Sequence, residues 1–312
     1  EWLFARFIPP QVTTQRSCQV TRGGIMDRER DTMKKLLPVG AIIVLLLFSQ
    51  LAFGRNWQKY PAIVSLNNVR RIVATGDIHG ALPQLLATLS SANLIAPDKS
   101  RLGKYRWTGG KTVWISTGDY VDRGDYSLEV LLFIMDLQTQ AKAAGGKVVA
   151  LLGNHEVMLL NGDVARRARY EKRQKKKFRP YGKTVASFEK LGVPFRQIIS
   201  NRYKIGRFLR RLPIMAVING RFGLIHAGFG RMTSLPKIRR SFQQCVNDDN
   251  WNCSFLAPRT EEEAQSSPIW ARDWWKNKKH VDQLLQNLGL RELIFAHTPN
   301  GLVPPSLVER RR

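Results

Sequence analysis

Three short strings that begin with glycine recur in the first half of the chain. They are GDIHG at 76–80, GDYVDRG at 118–124 and GNHE at 153–156. Each follows a run typical of a β-strand, and each precedes a segment with at least partly helical character. The three runs are residues 72–75, 112–117 and 147–152. Because ligands bind at the carboxyl ends of strands in open α/β sheets, the sequence predicts an α/β fold with these strings along one edge.

The polar side chains of the strings are carboxylates, imidazoles and an amide. Ligands of these types, supplied by several loops, can hold a pair of metal ions, and such pairs are a common device for phosphoester hydrolysis. A single histidine at a strand end is more often structural. Four of the five histidines are placed in this way, however, and two Asp-containing loops accompany them, so a metal site is favoured. These histidines are His79, His155, His226 and His297.

Further elements are predicted from apolar periodicity and turn residues. They are helices at 82–89, 127–140 and 281–290, a hairpin over 214–226 that turns at Asn219-Gly220, and a last strand at 292–297. Residues 231–268 are polar and predict loops with short helices.

The charge of the chain favours acidic partners. With 312 residues and 43% hydrophobic content, the chain can build the core of one or two domains. Its net charge is +26 and its pI is about 10.6. Phosphorylated substrates, nucleic acid and anionic membranes are all attracted by such a balance.

The N-terminal region has the pattern of a secretory signal peptide. Lys34-Lys35 precede an apolar stretch, and Ala52-Phe53-Gly54 offer a cleavage site before Arg55. The alternative is a membrane anchor over residues 36–53, although its apolar core is short for a span of about 20 residues. We therefore expect residues 1–54 to be an upstream segment plus a signal peptide or signal anchor, and the protein to enter the secretory pathway or to be extracytoplasmic.

Two cysteines, Cys245 and Cys253, follow the predicted cleavage site. In an oxidising compartment they could form a disulfide across a short loop, and otherwise they are two unpaired thiols. The sequence leaves both alternatives open.

The strings, taken in order with HAG at 226–228 and HTP at 297–299, resemble the calcineurin-like metallophosphoesterases. GDYVDRG is closer to the phosphoprotein phosphatase branch. HAGFG and the PIWAR segment at 268–272 resemble the Shewanella-like protein phosphatases within it. The resemblance covers about residues 70–300 and implies a four-layer αββα sandwich of two mixed β-sheets flanked by helices. It predicts a metallophosphoesterase domain at 55–312, with a basic insertion at about 162–185.

The resemblance also implies a dinuclear metal site for Mn, Fe or Zn. One ion would take Asp77, His79 and Asp119, and the second would take Asp119, Asn154, His226 and His297. The shared carboxylate is a natural bridge because its two oxygens can serve two cations. Neutral imidazoles suit these metals better than they suit Mg or Ca.

Four further residues take roles through the resemblance. His155 would be the general acid for the leaving oxygen, and Asp122 would orient it. The alternative for Asp122 is a loop-capping role. Arg123 would bind phosphate, and Arg272 is the candidate second phosphate arginine. The alternative for Arg272 is a surface residue stacked on Trp274 or Trp275.

The function expected from this set is hydrolysis of phosphomonoesters of Ser/Thr, with Tyr as a further candidate, in phosphoprotein or phosphopeptide substrates. A water activated by the two metals would attack, and no covalent nucleophile is needed. One alternative is a phosphoesterase for small molecules or dinucleoside polyphosphates. The other is a non-catalytic basic binding module. Asp122 in GDYVDRG favours the protein phosphatase.

Two regions depart from the family pattern. The dense basic run at 165–183 is interpreted as a solvated, mobile insertion, or as a surface for acidic substrates or an anionic membrane. Specific nucleic-acid binding is not expected, because no nucleic-acid module accompanies the run. Only fifteen residues follow His297, whereas family members continue through further strands, so we expect a truncated C-terminus.

Overall fold

The computed structural model describes residues 55–98, 100 and 104–298. The predictions on residues 1–54 and on the chain beyond Thr298 lie outside the described residues. Within those residues, no helix is both long enough and apolar enough to cross a membrane.

The strands form two main sheets and one small pair. They are β1 (Ile63–Leu66), β2 (Ile72–Thr75), β3 (Ile95–Pro97), β4 (Tyr105–Trp107), β5 (Val113–Ser116), β6 (Lys147–Ala150), β7 (Met215–Ile218), β8 (Phe222–Ile225) and β9 (Glu292–Ile294). One sheet has the order β1-β7-β8-β9 and the other the order β2-β5-β6, while β3 pairs with β4. The first sheet is mixed, because β7 and β8 run antiparallel while its outer pairs are parallel. The described strands of the second sheet are all parallel.

Helices follow β2, β5, β6 and β8, and they fill the long segment between β6 and β7. They are α1 (Leu82–Ser91), α2 (Ser127–Ala143), α3 (Asn154–Leu160), α4 (Asp163–Arg173), α5 (Pro180–Glu189), α6 (Phe195–Ile198), α7 (Lys204–Leu209), α8 (Leu235–Asn247), α9 (Glu261–Ala264) and α10 (Lys278–Leu288), with a 3₁₀ turn at Trp274–Lys276.

The two main sheets pack face to face through alternate residues of their strands. Val113 and Ile115 of β5 meet Ala216 and Ile218 of β7 in one apolar cluster between the sheets. The intervening Trp114 points to the opposite face and joins a larger cluster that contains the buried residues of the helices. This alternation follows from the two-residue period of a strand. The sandwich of two sheets flanked by helices is the expected α/β fold.

Several predicted elements are present. The strands before the three strings form one parallel sheet, so their carboxyl ends share an edge. The β7–β8 hairpin turns at Asn219 and Gly220, whose φ values are 52° and 64°. Such positive φ angles at both positions are typical of a type I′ turn, which explains the Asn-Gly pair.

The segment 231–268 differs from the prediction, because α8 is a helix of 13 residues rather than a short one. Its buried residues Ile238, Phe242, Cys245 and Val246 recur at helical spacing within a polar background. At its C-terminal end a disulfide joins Cys245 to Cys253, which decides between the two alternatives left open by the sequence.

Residues 165–183, predicted to be a solvated insertion, keep most of their side chains exposed and are helical at both ends. The run forms α4, a turn and the start of α5, and the two helices pack against each other. Glu171 of α4 is buried and accepts a hydrogen bond from the backbone N–H of Gly182 at 2.9 Å. The charged side chains cover the outside of an ordered helical pair, and the buried side of α5 faces the candidate site.

Candidate active site

Glu156 fastens two of the three strings to each other. Its buried carboxylate accepts hydrogen bonds from the backbone N–H groups of Asp119 at 2.8 Å, Tyr120 at 2.7 Å and Gly153 at 3.0 Å. Burial and the nearby Asp119 carboxylate raise the pKa of Glu156 to about 7. The loop after β5 and the start of α3 are therefore held as one unit.

Glycine is required where these loops touch. A Cβ atom on Gly118 would lie 2.5 Å from the backbone nitrogen of Gly153, and Gly118 also has a φ of 115°. Both features exclude a larger residue. The glycine that begins each of these two strings thus permits a backbone approach that brings Asp119 close to Asn154.

Five of the predicted site residues have positive φ angles. They are His79 (46°), Asp119 (58°), Asp122 (69°), Arg123 (66°) and His297 (67°). Such angles are uncommon for residues with a side chain, and they cluster at sites whose surroundings hold the backbone in place. This backbone geometry sets the directions of the side chains in the site.

Asp119 lies at the centre of the site. It is buried, with Oδ1 3.4 Å from Nε2 of His226 and Oδ2 3.6 Å from Nε2 of His79. Nε2 of His155 lies 3.9 Å from the same Oδ2. Burial opposes ionisation of Asp119, but the surrounding imidazoles outweigh it and hold its pKa well below the usual range.

The orientation of two imidazoles is fixed by backbone carbonyls. Nδ1 of His79 donates to the carbonyl of Val121 at 2.9 Å, and Nδ1 of His226 donates to that of Thr117 at 3.1 Å. Since a carbonyl only accepts, each neutral ring keeps its lone pair on Nε2. Both Nε2 atoms therefore face Asp119 as metal ligands would, with the supporting hydrogen bond that metal-binding histidines usually make.

The donor set fits metal ions. The amide oxygen of Asn154 lies 2.9 Å from Nε2 of His226 and faces only acceptor atoms. Nε2 of His79 is buried without a hydrogen-bond partner among the described residues, and Nδ1 of His297 lies 3.2 Å from the same amide oxygen of Asn154. Lone pairs that converge on one region repel each other unless a cation lies between them. Oxygen and imidazole donors of this kind suit Mn, Fe or Zn.

Two groups of ligand atoms share Asp119. His79, Asp119 and His155 offer atoms within 4.8 Å of one another, and so do Asp119, His226 and His297. The first group contains His155, which is not one of the predicted ligands, and lacks the predicted ligand Asp77. Asp77 lies at the edge of the site: its side chain is 22% exposed, and its carboxylate oxygens are 4.0 Å from Nε2 of His79 and 3.9 Å from Nδ1 of His226.

The surroundings of His155 suit a proton donor better than a metal ligand. Its Nδ1 is 2.6 Å from Oδ2 of the buried Asp122, and its Nε2 faces the side of the site near Asp119. Burial lowers the pKa of His155, but the hydrogen bond to Asp122 and the charges of the nearby carboxylates together outweigh it and raise that pKa above the usual value. A histidine with this partner can carry and deliver a proton, whereas a ligand must give its lone pair to a metal.

The two arginines differ in how the structure places them. Arg123 follows Asp122 directly, is exposed, and its backbone N–H donates to the carbonyl of Pro180 at 3.1 Å. Arg272 is also exposed, and its charge helps to lower the pKa of His297 to about 3, after burial and His226. In the part of the chain that the structure describes, Arg272 makes no cation–π contact with Trp274 or Trp275. Those tryptophans are buried against Phe295.

Two residues of the site escaped sequence reasoning. Glu156 stands at the third position of α3, where a glutamate commonly reaches back to the helix start, so its spacing was a usable signal. Thr184 donates to Asp122 from 62 residues further along the chain, and no local pattern marks it.

A family model described as calcineurin-like phosphoesterase matches residues 70–301. The chain belongs to the calcineurin-like phosphoesterase family. The resemblance inferred from the strings and the expected fold are thus confirmed.

The relatives include protein phosphatases. The chain is 43% identical over 93 residues to Shewanella-like protein phosphatase 2 of Arabidopsis thaliana, which covers 30% of this chain and 22% of that protein. It is 28% identical over 188 residues to serine/threonine-protein phosphatase rdgC of Drosophila melanogaster, covering 60% of this chain and 23% of that protein. The chain therefore spans less than a quarter of the length of these curated relatives.

A solved structure shares the fold over most of the described chain. It is the cold-active protein-tyrosine phosphatase of a psychrophilic Shewanella species, with a TM-score of 0.57 and 25% identity over 76% of this chain and 69% of that one.

Proposed function

We propose that this protein is a metal-dependent phosphoprotein phosphatase that hydrolyses phosphomonoesters of Ser/Thr, with Tyr as a further candidate. The observation that carries the proposal is the His155–Asp122 pair beside Asp119, with Arg123 following in the chain. This arrangement combines a metal site, a proton donor and a phosphate-binding cation within one pair of loops.

The chain supplies most of the chemistry through fixed side chains. The proposed ligands are Asp77, His79, Asp119, Asn154, His226 and His297. Two divalent ions, Mn, Fe or Zn, would neutralise the phosphoryl oxygens and activate the attacking water. Asp119 and the neutral imidazoles around it converge as such ligands must.

His155 would donate a proton to the leaving oxygen of the ester. Asp122 holds the imidazole by Nδ1, so the proton to be delivered lies on Nε2, at the open side of the pair. Arg123 and Arg272 would bind the phosphoryl oxygens, since a guanidinium can donate two parallel hydrogen bonds to them. Each of these residues lies outside the proposed metal ligand set and acts on the ester itself.

The disulfide and the basic run bear on the location and the partners of the protein. We propose an extracytoplasmic location, which the Cys245–Cys253 disulfide supports because such bonds persist in oxidising compartments. Membrane anchoring by residues 36–53 is the alternative. The basic run supports acidic phosphoprotein partners, and an anionic membrane is the competing partner.

The test compares two substrates in the presence and absence of metal. We expect the full chain with Mn²⁺ to hydrolyse a phosphoserine or phosphothreonine peptide much faster than a dinucleoside polyphosphate, and chelation to stop both reactions. Faster turnover of the dinucleoside polyphosphate would favour the small-molecule phosphoesterase instead. Absence of turnover with every metal and substrate would leave the non-catalytic binding module, which the convergence of the ligand set argues against.

A further inference from the structure

Thr184 of α5 holds the side of the Asp122 carboxylate that His155 does not use. Its Oγ1 donates to Oδ1 of Asp122 at 2.7 Å, while Nδ1 of His155 lies 2.6 Å from Oδ2. The same Oγ1 accepts the backbone N–H of Asp122 at 2.9 Å. All three residues are buried. The carboxylate is thus fixed at both oxygens and at its own backbone.

This double attachment limits rotation of the carboxylate. An aspartate bound only by an imidazole can turn about its last side-chain bond and carry the ring with it, because that torsion has a broad energy minimum. The bond from Thr184 removes this freedom. One turn earlier on the same face of α5, Tyr181 lies parallel to the His155 ring, with 13° between the planes and 6.4 Å between the centroids.

We propose that Thr184 is a positioning residue for the His155–Asp122 pair. It lies on α5 of the basic helical pair and not in one of the three strings that begin with glycine. The inference rests on the proposed function, because it assumes that His155 protonates the leaving group. It assigns to α5 a part in the reaction that none of its charged residues performs.

The chain offers a matched control on the same helix. Ser187 also carries a buried hydroxyl, one turn further along, but it accepts the N–H of Leu128 at 3.0 Å and donates to Glu129 at 2.9 Å. Neither partner belongs to the catalytic pair. Thr184→Val and Ser187→Ala each remove one buried hydroxyl from α5, and Thr184→Ser keeps the hydroxyl.

The measurement is kcat on two aryl phosphates with Mn²⁺. Supporting residues of this kind typically contribute about 10- to 100-fold to activity. We expect Thr184→Val to lose kcat to that extent on phenyl phosphate, and less on p-nitrophenyl phosphate, whose leaving group needs no proton. KM should change little, Thr184→Ser should restore the wild-type ratio between the substrates, and Ser187→Ala should keep it.

Equal losses on both substrates, or the same ratio in Thr184→Val as in Ser187→Ala, would overturn the positioning role. The ratio is measured within one sample, so partial misfolding of a variant does not alter it. If the wild-type chain hydrolyses neither phosphate with any metal, the proposed function fails instead, and the two failures are distinguished.

A separate observation concerns the opposite side of α5. Helices α4, α5 and α6 surround a groove of about 940 Å³, with small apolar residues such as Ala168 and Val185 in its lining. Exposed cations Arg169, Lys172 and Arg196 also line it, and none of the three forms an ion pair within the described residues. Glu189 is the only acid among the described residues that line the groove.

The shape and charge of this groove suit an extended acidic peptide. Carboxylates can pair with the guanidinium and ammonium groups, while the peptide backbone lies over the apolar lining. A concave groove offers less contact to a flat lipid surface. We infer that the groove binds an acidic segment of a protein substrate, at a distance in sequence from the phosphorylated residue.

The test uses a fluorescent, unphosphorylated glutamate-rich peptide and fluorescence anisotropy. Arg169→Glu, Lys172→Glu and Arg196→Glu together should raise Kd at least about 10-fold, which corresponds to about 1.4 kcal/mol. The control changes Lys175, Lys176 and Lys177 to Glu, which alters net charge equally in the turn between α4 and α5, outside the groove lining. The control should raise Kd much less.

Equal weakening by both triple variants would show attraction by net charge alone and would overturn the groove site. A second contrary outcome is a wild type that binds phosphatidylserine vesicles and not the peptide, with vesicle binding lost only in the groove variant. That result would identify the ligand of the groove as an anionic membrane and would overturn the peptide site.

Discussion

Asp119 combines most of the constraints on the site within one residue. Its carboxylate faces three imidazoles, and its backbone N–H donates to Glu156. The surrounding loop contacts hold its backbone at an unfavourable φ of 58°. A change at this position would therefore alter the proposed metal ligand set and the loop geometry together. Its partner Glu156 allows the structural contribution to be measured separately.

Glu156→Ala should lower the free energy of unfolding by at least about 2 kcal/mol, because three buried N–H groups lose their acceptor. Glu156→Gln should cost less, since the amide keeps one acceptor oxygen. Urea unfolding measures both. Glu189→Ala, at an exposed position, serves as the control with a change within about 0.5 kcal/mol. A similar cost at the two glutamates would contradict the role of Glu156.

At this scale the sequence predicted residues that lie within recognisable strings. Asp77, His79, Asp119, Asn154, His226 and His297 lie in one region of the structure, with Asp77 at its edge. Thr184 could not be found in this way, because its contact with Asp122 depends on how α5 packs and not on any nearby residue.

At the scale of elements, the strings work as loops that touch backbone to backbone. The parallel order of β2, β5 and β6 brings them to one edge, and glycine allows the close approach of Gly118 to Gly153. The spacing of the proposed metal ligands is therefore set by contacts between loops as much as by the strands.

Gly118→Ala should displace the Asp119 loop and reduce metal affinity and kcat by at least about 10-fold, a loss typical of disturbed support around ligands. Gly192→Ala is the control: Gly192 also has a positive φ, 65°, but an added Cβ meets nothing within 4 Å. Both variants carry backbone strain of about 1–2 kcal/mol. Only in Gly118→Ala does the added Cβ also clash with the backbone of another loop. Isothermal titration with Mn²⁺ should separate them, and equal Mn²⁺ affinity in the two variants would refute the loop-contact explanation.

Elements with a strong local pattern were predictable, and those stabilised by distant partners were not. The β7–β8 hairpin followed from its Asn-Gly turn. The order of α4 and α5 did not follow from the basic run, because it depends on the buried Glu171 and on Thr184 reaching Asp122. Strand β1 was also missed, since none of the glycine-initiated strings follows it and its partner β7 lies far along the chain.

At the scale of the whole molecule, the chain has a net charge of +26, and the substrate that we propose for the site is an anionic phosphate ester. A positive field raises the local concentration of anionic substrates and speeds their association. The net charge can be counted from the sequence. The sequence does not show that some of the cations line a groove beside α5, the helix that supports Asp122.

Raising the salt concentration from about 20 mM to about 200 mM should lower kcat/KM for an acidic phosphopeptide by about 10-fold, because screening shortens the reach of the field. The value for p-nitrophenyl phosphate, which has fewer charges, should fall much less. Steady-state kinetics at several salt concentrations measures both. Parallel losses for the two substrates would argue against steering by the protein's charge.

The metal content of the purified full chain, measured by mass spectrometry alongside phosphopeptide turnover, tests the proposed site most directly. We predict two ions per wild-type chain. In Asp119→Asn, we predict loss of at least one ion and a fall in turnover of at least about 10²-fold, beyond the effect of removing a supporting residue. Wild-type turnover in Asp119→Asn, or an active wild-type chain without bound metal, would contradict the two-metal site.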